Sequence, residues 1–173
     1  MNEFYLTLTD MKMKEVLTIY LLITLIMFTT ESKAQSFDKK INNLASKYEA
    51  EMIELRHWFH QNAELSNREF KTAERIALEL TKIGLKPQTG VAKTGVVAVL
   101  KGRKPGPVVA LRADIDGLPV KERANLPWKS EMMGEYNGET VPVMHACGHD
   151  THTAILLATA KIMYDLKDEI SGT

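Results

Sequence analysis

Cysteine is nearly absent from these 173 residues, and Cys147 is the one example. A lone cysteine closes no internal disulfide, so no disulfide framework holds the fold. A surplus of either charge is missing as well. Lysine and arginine number 22 and aspartate and glutamate 22, which argues against a nucleic-acid partner. The longest uncharged apolar run, Val16 to Phe28, falls short of the about 20 residues that span a membrane comfortably. There is no internal repeat, no low-complexity tract and no phosphate-binding glycine loop. What remains is a chain of single-domain size with 45% hydrophobic residues, enough to pack a core.

The N-terminal segment reads as a leader rather than as fold. Lys12 and Lys14 precede the apolar run, and Thr29-Thr30-Glu31 and Ser32-Lys33-Ala34 follow it with small residues three apart. That is the layout of a secretory signal peptide over residues 1–34, cleaved after Ala34, with Met11 or Met13 as a more usual start. Export to the periplasm or outside the cell is therefore expected, with an uncleaved membrane anchor as the alternative. In such a compartment Cys147 is either a free thiol or committed to a metal, which would hold it as thiolate.

Beyond residue 36 the pattern becomes helical. Ile41, Leu44, Tyr48, Met52, Leu55 and Phe59 recur at the spacing of an amphipathic helix. His57 and His60 close it, and a structural or surface role suits both better than ligation. Ser66-Asn67-Arg68-Glu69 reads as a capping box ahead of a second helix that Gly84 ends. Strands are predicted over Lys86–Thr89 and Gly95–Leu100 with a turn around Gly90. Val108–Leu111 reads as a strand buried on both faces, followed by the charged Arg112-Ala113-Asp114-Ile115-Asp116. Charges at the carboxyl end of a buried strand are where α/β enzymes place their sites; a salt-bridged strand terminus is the plainer reading. Residues 121–140 read as a surface loop, and Ile155, Ala158, Thr159, Ile162 and Leu166 as the buried stripe of a last helix.

Between that loop and that helix lies the densest chemistry, Val143-Met144-His145-Ala146-Cys147-Gly148-His149-Asp150-Thr151-His152-Thr153. Thiolate and imidazole suit a borderline-soft cation, and Gly148 lets the backbone bend between Cys147 and His149. The segment reads as half of a metal site; the competing reading is a helix start with Asp150 as N-cap.

Three segments together resemble the amidohydrolase branch of the aminoacylase-type dinuclear metallopeptidases (metallopeptidase family twenty), relatives of hippurate hydrolase and auxin–amino acid conjugate hydrolase. They are Trp58–Ser66, Leu111–Pro119 and Met144–Thr153. The resemblance covers about residues 45 to 173 and implies a three-layer α/β/α catalytic domain. Residues 36–173 would be its N-terminal part, incomplete and ending before a glutamate pair and a dimerisation domain. It implies that Cys147 and His149 are metal ligands and that Asp114 is the catalytic-domain aspartate beside the metals. Arg112 stands where other branches carry a histidine ligand; His145, Asp150, His152 and Arg112 are candidates to support the ligands. Ala63 stands where the family usually has proline.

The implied activity is hydrolysis of the amide bond of N-acyl amino acids or similar small conjugates. Two divalent ions, zinc or manganese, would serve a complete site, and the full-length protein would form a homodimer through a domain absent here. The family's general base, the first of the paired glutamates, would follow a strand beginning near Thr173, so the chain by itself is expected to be inactive. A non-catalytic remnant or binding module, or a small secreted domain with a structural metal site, remains open at this point.

Overall fold

The computed structural model describes residues 13–173, with backbone alone over residues 25–34. The start of the expected leader, residues 1–12, and the side chains at its expected cleavage site lie outside the described residues. The chain divides into two compact units, Met1–Asn43 and Leu44–Thr173. Helix α1 spans Met13–Gln61, whereas the hydrophobic period predicts a start near Ile41. Neither glycine nor proline occurs between residues 13 and 61, so nothing in the backbone stops the helix earlier. In the first unit the apolar side chains Leu17, Ile19 and Leu22 are exposed. Among the described residues no helix is long and apolar enough to cross a membrane.

The second unit is mixed α/β with short sheets. Its main core joins the end of α1 to α2 (Phe70–Ile83) and α3 (His149–Asp165). Leu55 and Phe59 from α1, Ile76 and Leu80 from α2, Leu85, and Ala154 and Leu157 from α3 form one buried cluster. Full burial of each large side chain is worth about 1.5–3 kcal/mol. The stripe read from α1 is the one that packs, because Tyr48, Leu55 and Phe59 are buried. Past α3 Leu166 is buried as expected, but at the start of the helix the stripe is rotated, with Ala154 and Leu157 inside and Ile155 exposed. That helix carries apolar residues on more than one face, so its neighbours rather than its period choose the buried side.

Glu64, not Ser66, caps α2. Its carboxylate accepts the Lys71 N–H at 3.2 Å, the Thr72 N–H at 2.8 Å and the Thr72 hydroxyl at 2.9 Å. Glu69, the expected reciprocal partner, instead accepts from the Thr94 hydroxyl at 2.7 Å. Gly84 ends the helix at φ 102°, as expected of an αL cap.

Strands β1 (Gln88–Val91) and β2 (Gly95–Val97) pair antiparallel. Their turn lies later than predicted: Ala92 and Lys93 take φ of 48° and 86°, while Gly90 sits inside β1, where the register shifts. The Val108–Leu111 run is not a buried strand. Val108 is 82% exposed and Leu111 54%; the Val109 N–H donates to the Thr173 carbonyl at 2.9 Å, continuing a short parallel contact that Lys104 makes with Ser171 just before the run. Hydrophobicity reveals what a strand could bury, not which neighbours cover it.

Residues 133–142 form a hairpin rather than a loop. Met133–Tyr136 (β3) pairs antiparallel with Glu139–Pro142 (β4). The two turn residues, Asn137 at φ 52° and Gly138 at φ 82°, are the Asn-Gly pair that favours a two-residue hairpin turn. Its inner side meets Ala63, Leu65 and Val143, a second small core. Nothing lies within 4 Å of a Cβ added to Gly138, so Gly138→Ala isolates the backbone term. We expect it to cost about 1–2 kcal/mol, read as a shift in urea midpoint at constant slope.

Candidate metal centre

Two backbone devices bring Asp114 and Asp116 to the start of α3. Gly117 donates its N–H to the Glu64 carbonyl at 2.6 Å, and Leu118 exchanges two hydrogen bonds with Met144 at 2.9 and 3.1 Å. Gly117 is required by close approach, since a Cβ there would fall 3.0 Å from Val143 and 3.2 Å from Ala63. Gly148 then turns the chain at φ 86°, a conformation glycine takes without strain. Helix α3 starts at His149, five residues before the apolar run predicts. His149 and His152 therefore occupy its first turn, three apart, on one face of the helix.

Asp114, His149 and His152 offer ligand atoms that all lie within 4.8 Å of one another. Two bonds of about 2.2 Å to a shared cation reach at most about 4.4 Å, and His152, being exposed, can rotate to close the difference. His149 is oriented from behind. Its Nδ1 lies 2.9 Å from Asp116 Oδ1 and 3.0 Å from the Asp116 carbonyl. Both partners can only accept, so Nδ1 carries the proton and Nε2 is left to face Asp114, whose Oδ2 is 4.0 Å away. A carboxylate behind a histidine in this manner raises its basicity as a ligand. Arg112 donates to Asp114 Oδ1 at 2.6 Å, and that hydrogen bond holds the Asp114 carboxyl below the usual carboxylate range. Two imidazoles and an ionised carboxylate suit a borderline divalent cation.

The other expected residues are distributed around this trio. Cys147 is exposed and stands outside it. His145 is buried, and among the described residues neither ring nitrogen has a hydrogen-bond partner; burial pushes its imidazole below the ordinary value. Asp150 is not an N-cap: Gly148 holds that position, and the buried Asp150 carboxylate turns to His60 at 2.9 Å. His57 stacks on Trp128 with ring centroids 3.7 Å apart.

Asp116 is expected from sequence only as one charge of the 112–116 strand end, with no role of its own, and Glu122 only as part of a surface loop. Alternation would have found the first, because side chains two apart in an extended segment share a side, placing Asp116 with Asp114. Glu122 had no such signal, since its side-chain partner His60 lies 62 positions away. Replacing Asp116 with asparagine is expected to weaken cation binding by about 10–100-fold, the usual effect of losing such a supporting carboxylate. Calorimetric titration with Zn²⁺ measures it.

Residues 110–173 match the peptidase family M20/M25/M40. The chain is 43% identical over 135 residues to thermostable carboxypeptidase 2 of Saccharolobus solfataricus, covering 78% of this chain and 32% of that protein. It is 41% identical over 134 residues to an N-acyl-L-amino acid amidohydrolase of Geobacillus stearothermophilus, with 78% and 34% covered. Among solved structures, the Bacillus subtilis YxeP protein, described as a dinuclear metal-binding peptidase of family M20, superposes with a TM-score of 0.66 at 38% identity. That match covers 73% of this chain and 34% of the other. The chain thus spans about a third of the length of the relatives it matches.

Proposed function

Since the chain belongs to the M20 peptidase family, among its amidohydrolase relatives, we propose that it supplies the N-terminal share of a divalent-metal site for hydrolysing amide bonds of N-acyl amino acids or similar small conjugates. The observation that carries this reading is the convergence of Asp114, His149 and His152, with Asp116 bonded behind His149. The amidohydrolase and carboxypeptidase relatives support the reaction class. In this reading residues 36–173 open a three-layer α/β/α domain, and the layers over Val108–Leu111 come from the part of the relatives' length that this chain does not span. Export rests on the leader pattern of residues 1–34.

A bound cation would supply Lewis acidity at the scissile carbonyl and ease the loss of a proton from water. Zinc or manganese suits these donors, two ions in a complete site. This chain's residues do the holding. Asp116 keeps the Nδ1 proton of His149 in place, Arg112 keeps Asp114 ionised, and His152 offers a second imidazole. Cys147 is the further thiolate donor in this proposal. No carboxylate among the described residues is placed as general base, for Glu122 is already bonded to His60 and Ser130.

The test is a titration of the 173-residue chain with Zn²⁺ and Mn²⁺, with Cys147→Ser beside it, followed by an assay on N-acetyl amino acids. We expect weak binding, weaker again in the serine variant, and no turnover. Hydrolysis by the chain alone would show that its site is complete; absence of binding by either ion would remove the metal reading.

A further inference from the structure

We propose that His60 is a positioning residue, which holds the first turn of α3 and with it the two imidazoles it presents. The proposal rests on the metal reading only for what the held residues do. His60 is the next-to-last residue of α1 and is 6% exposed. Its Nδ1 lies 2.9 Å from Asp150 Oδ2 and its Nε2 3.0 Å from Glu122 Oε2. Those carboxylate side chains are buried in turn, at 2% and 3% exposure. Arg56, one turn earlier, adds an ion pair to the same Asp150 oxygen at 3.4 Å. The same Glu122 oxygen accepts the Ser130 N–H at 2.7 Å.

The position of Asp150 gives this network its consequence. It sits between His149 and His152, on a different face of the same turn. A helix start leaves its first four N–H groups without intrahelical partners and is the part that frays. A side-chain cap would normally steady it, yet the N-cap of α3 is Gly148, and no side-chain cap hydrogen bond is made. Asp150, tied to α1 through His60, therefore anchors the turn from outside. The second tie, from His60 to Glu122, fixes the ring itself, because an imidazole bonded at both nitrogens cannot turn. Asp116 orients one histidine; His60 holds the backbone from which both project.

Amide hydrogen exchange of the full chain without metal, followed by NMR, tests this directly. In His60→Ala and in Asp150→Asn, exchange at Thr151, His152 and Thr153 should accelerate at least about tenfold, with Leu157 and Ile162 unchanged, as for a local opening. His60→Gln, which can still donate to Asp150, should recover part of the protection and covers the case in which the alanine variant fails to fold. Glu122→Gln should leave Thr151–Thr153 within about threefold of the parent. Co²⁺ titration gives the second readout. Affinity should fall about 10–100-fold in His60→Ala, the visible bands of the bound ion should change, and adding Asp150→Asn should cost little more because both act through one contact. Unchanged exchange, or acceleration spread evenly over α3, would overturn the positioning role. If the parent binds no Co²⁺, the proposed function fails while the exchange data still decide this inference.

Discussion

Phe59→Ala is expected to lower the unfolding free energy of the chain by about 3–5 kcal/mol, the range for a large aromatic removed from a packed core. Phe59 is 1% exposed and lies where α1, α2 and α3 meet, among Leu55, Ile76, Leu80, Leu85, Ala154 and Leu157. Trp58 stands edge-on to its ring at 5.3 Å and 85°, so truncation removes a favourable aromatic pairing as well as buried area. Packing against α2 and α3 leaves little room for collapse into the cavity, which places the cost toward the upper end. A domain of this size has about 5–15 kcal/mol in all, so the variant would lose much of its margin. Phe59→Leu, which keeps most of the volume, should cost less than about 1.5 kcal/mol. Equilibrium urea denaturation measures both, and a loss below about 1 kcal/mol for the alanine variant would mean that the three helices do not share this core.

His149→Ala should reduce cation affinity by more than the about 10–100-fold expected when only a supporting residue is lost. It removes a donor atom and also strands Asp116, whose carboxylate bonds His149 Nδ1. His152→Ala should have the smaller effect of the two, because His152 is exposed and its ring meets the His149 ring only at the edge of reach, 5.7 Å between centroids. The expected order of loss is therefore His149→Ala, then Asp116→Asn, then His152→Ala, read by calorimetry with Zn²⁺ at constant pH. Equal losses at His149 and His152 would show that orientation by Asp116 does not govern the site.

Local signals were legible wherever the chemistry that shapes an element lies within a few residues of it. The stripe through Tyr48, Leu55 and Phe59, the αL stop at Gly84 and the bend at Gly148 each depend on side chains or φ values inside one element. The hairpin at 133–142 was equally local, for Asn137-Gly138 carries its turn, and only its polar surroundings disguised it. Capping of α2 shows the opposite case. Ser66 and Glu69 have the spacing of a capping box, yet Glu64 does the capping, because the bend at residues 62–68 turns its carboxylate onto the open N–H groups.

The amino-acid sequence by itself determined where helices lie though not where the first and last begin, the cluster at residues 143–153, its resemblance to the amidohydrolase relatives of the M20 family, and the residue types that could hold a cation. Only the tertiary structure decided that His152 joins His149 and Asp114, that Asp116 stands behind His149, and that Asp150 faces His60 instead. The reason is physical: side-chain chemistry is set by the residue, whereas the meeting of His149 with Asp116, or of His60 with Asp150 and Glu122, joins groups more than thirty positions apart, and chain-wide packing alone brings such groups within bonding distance.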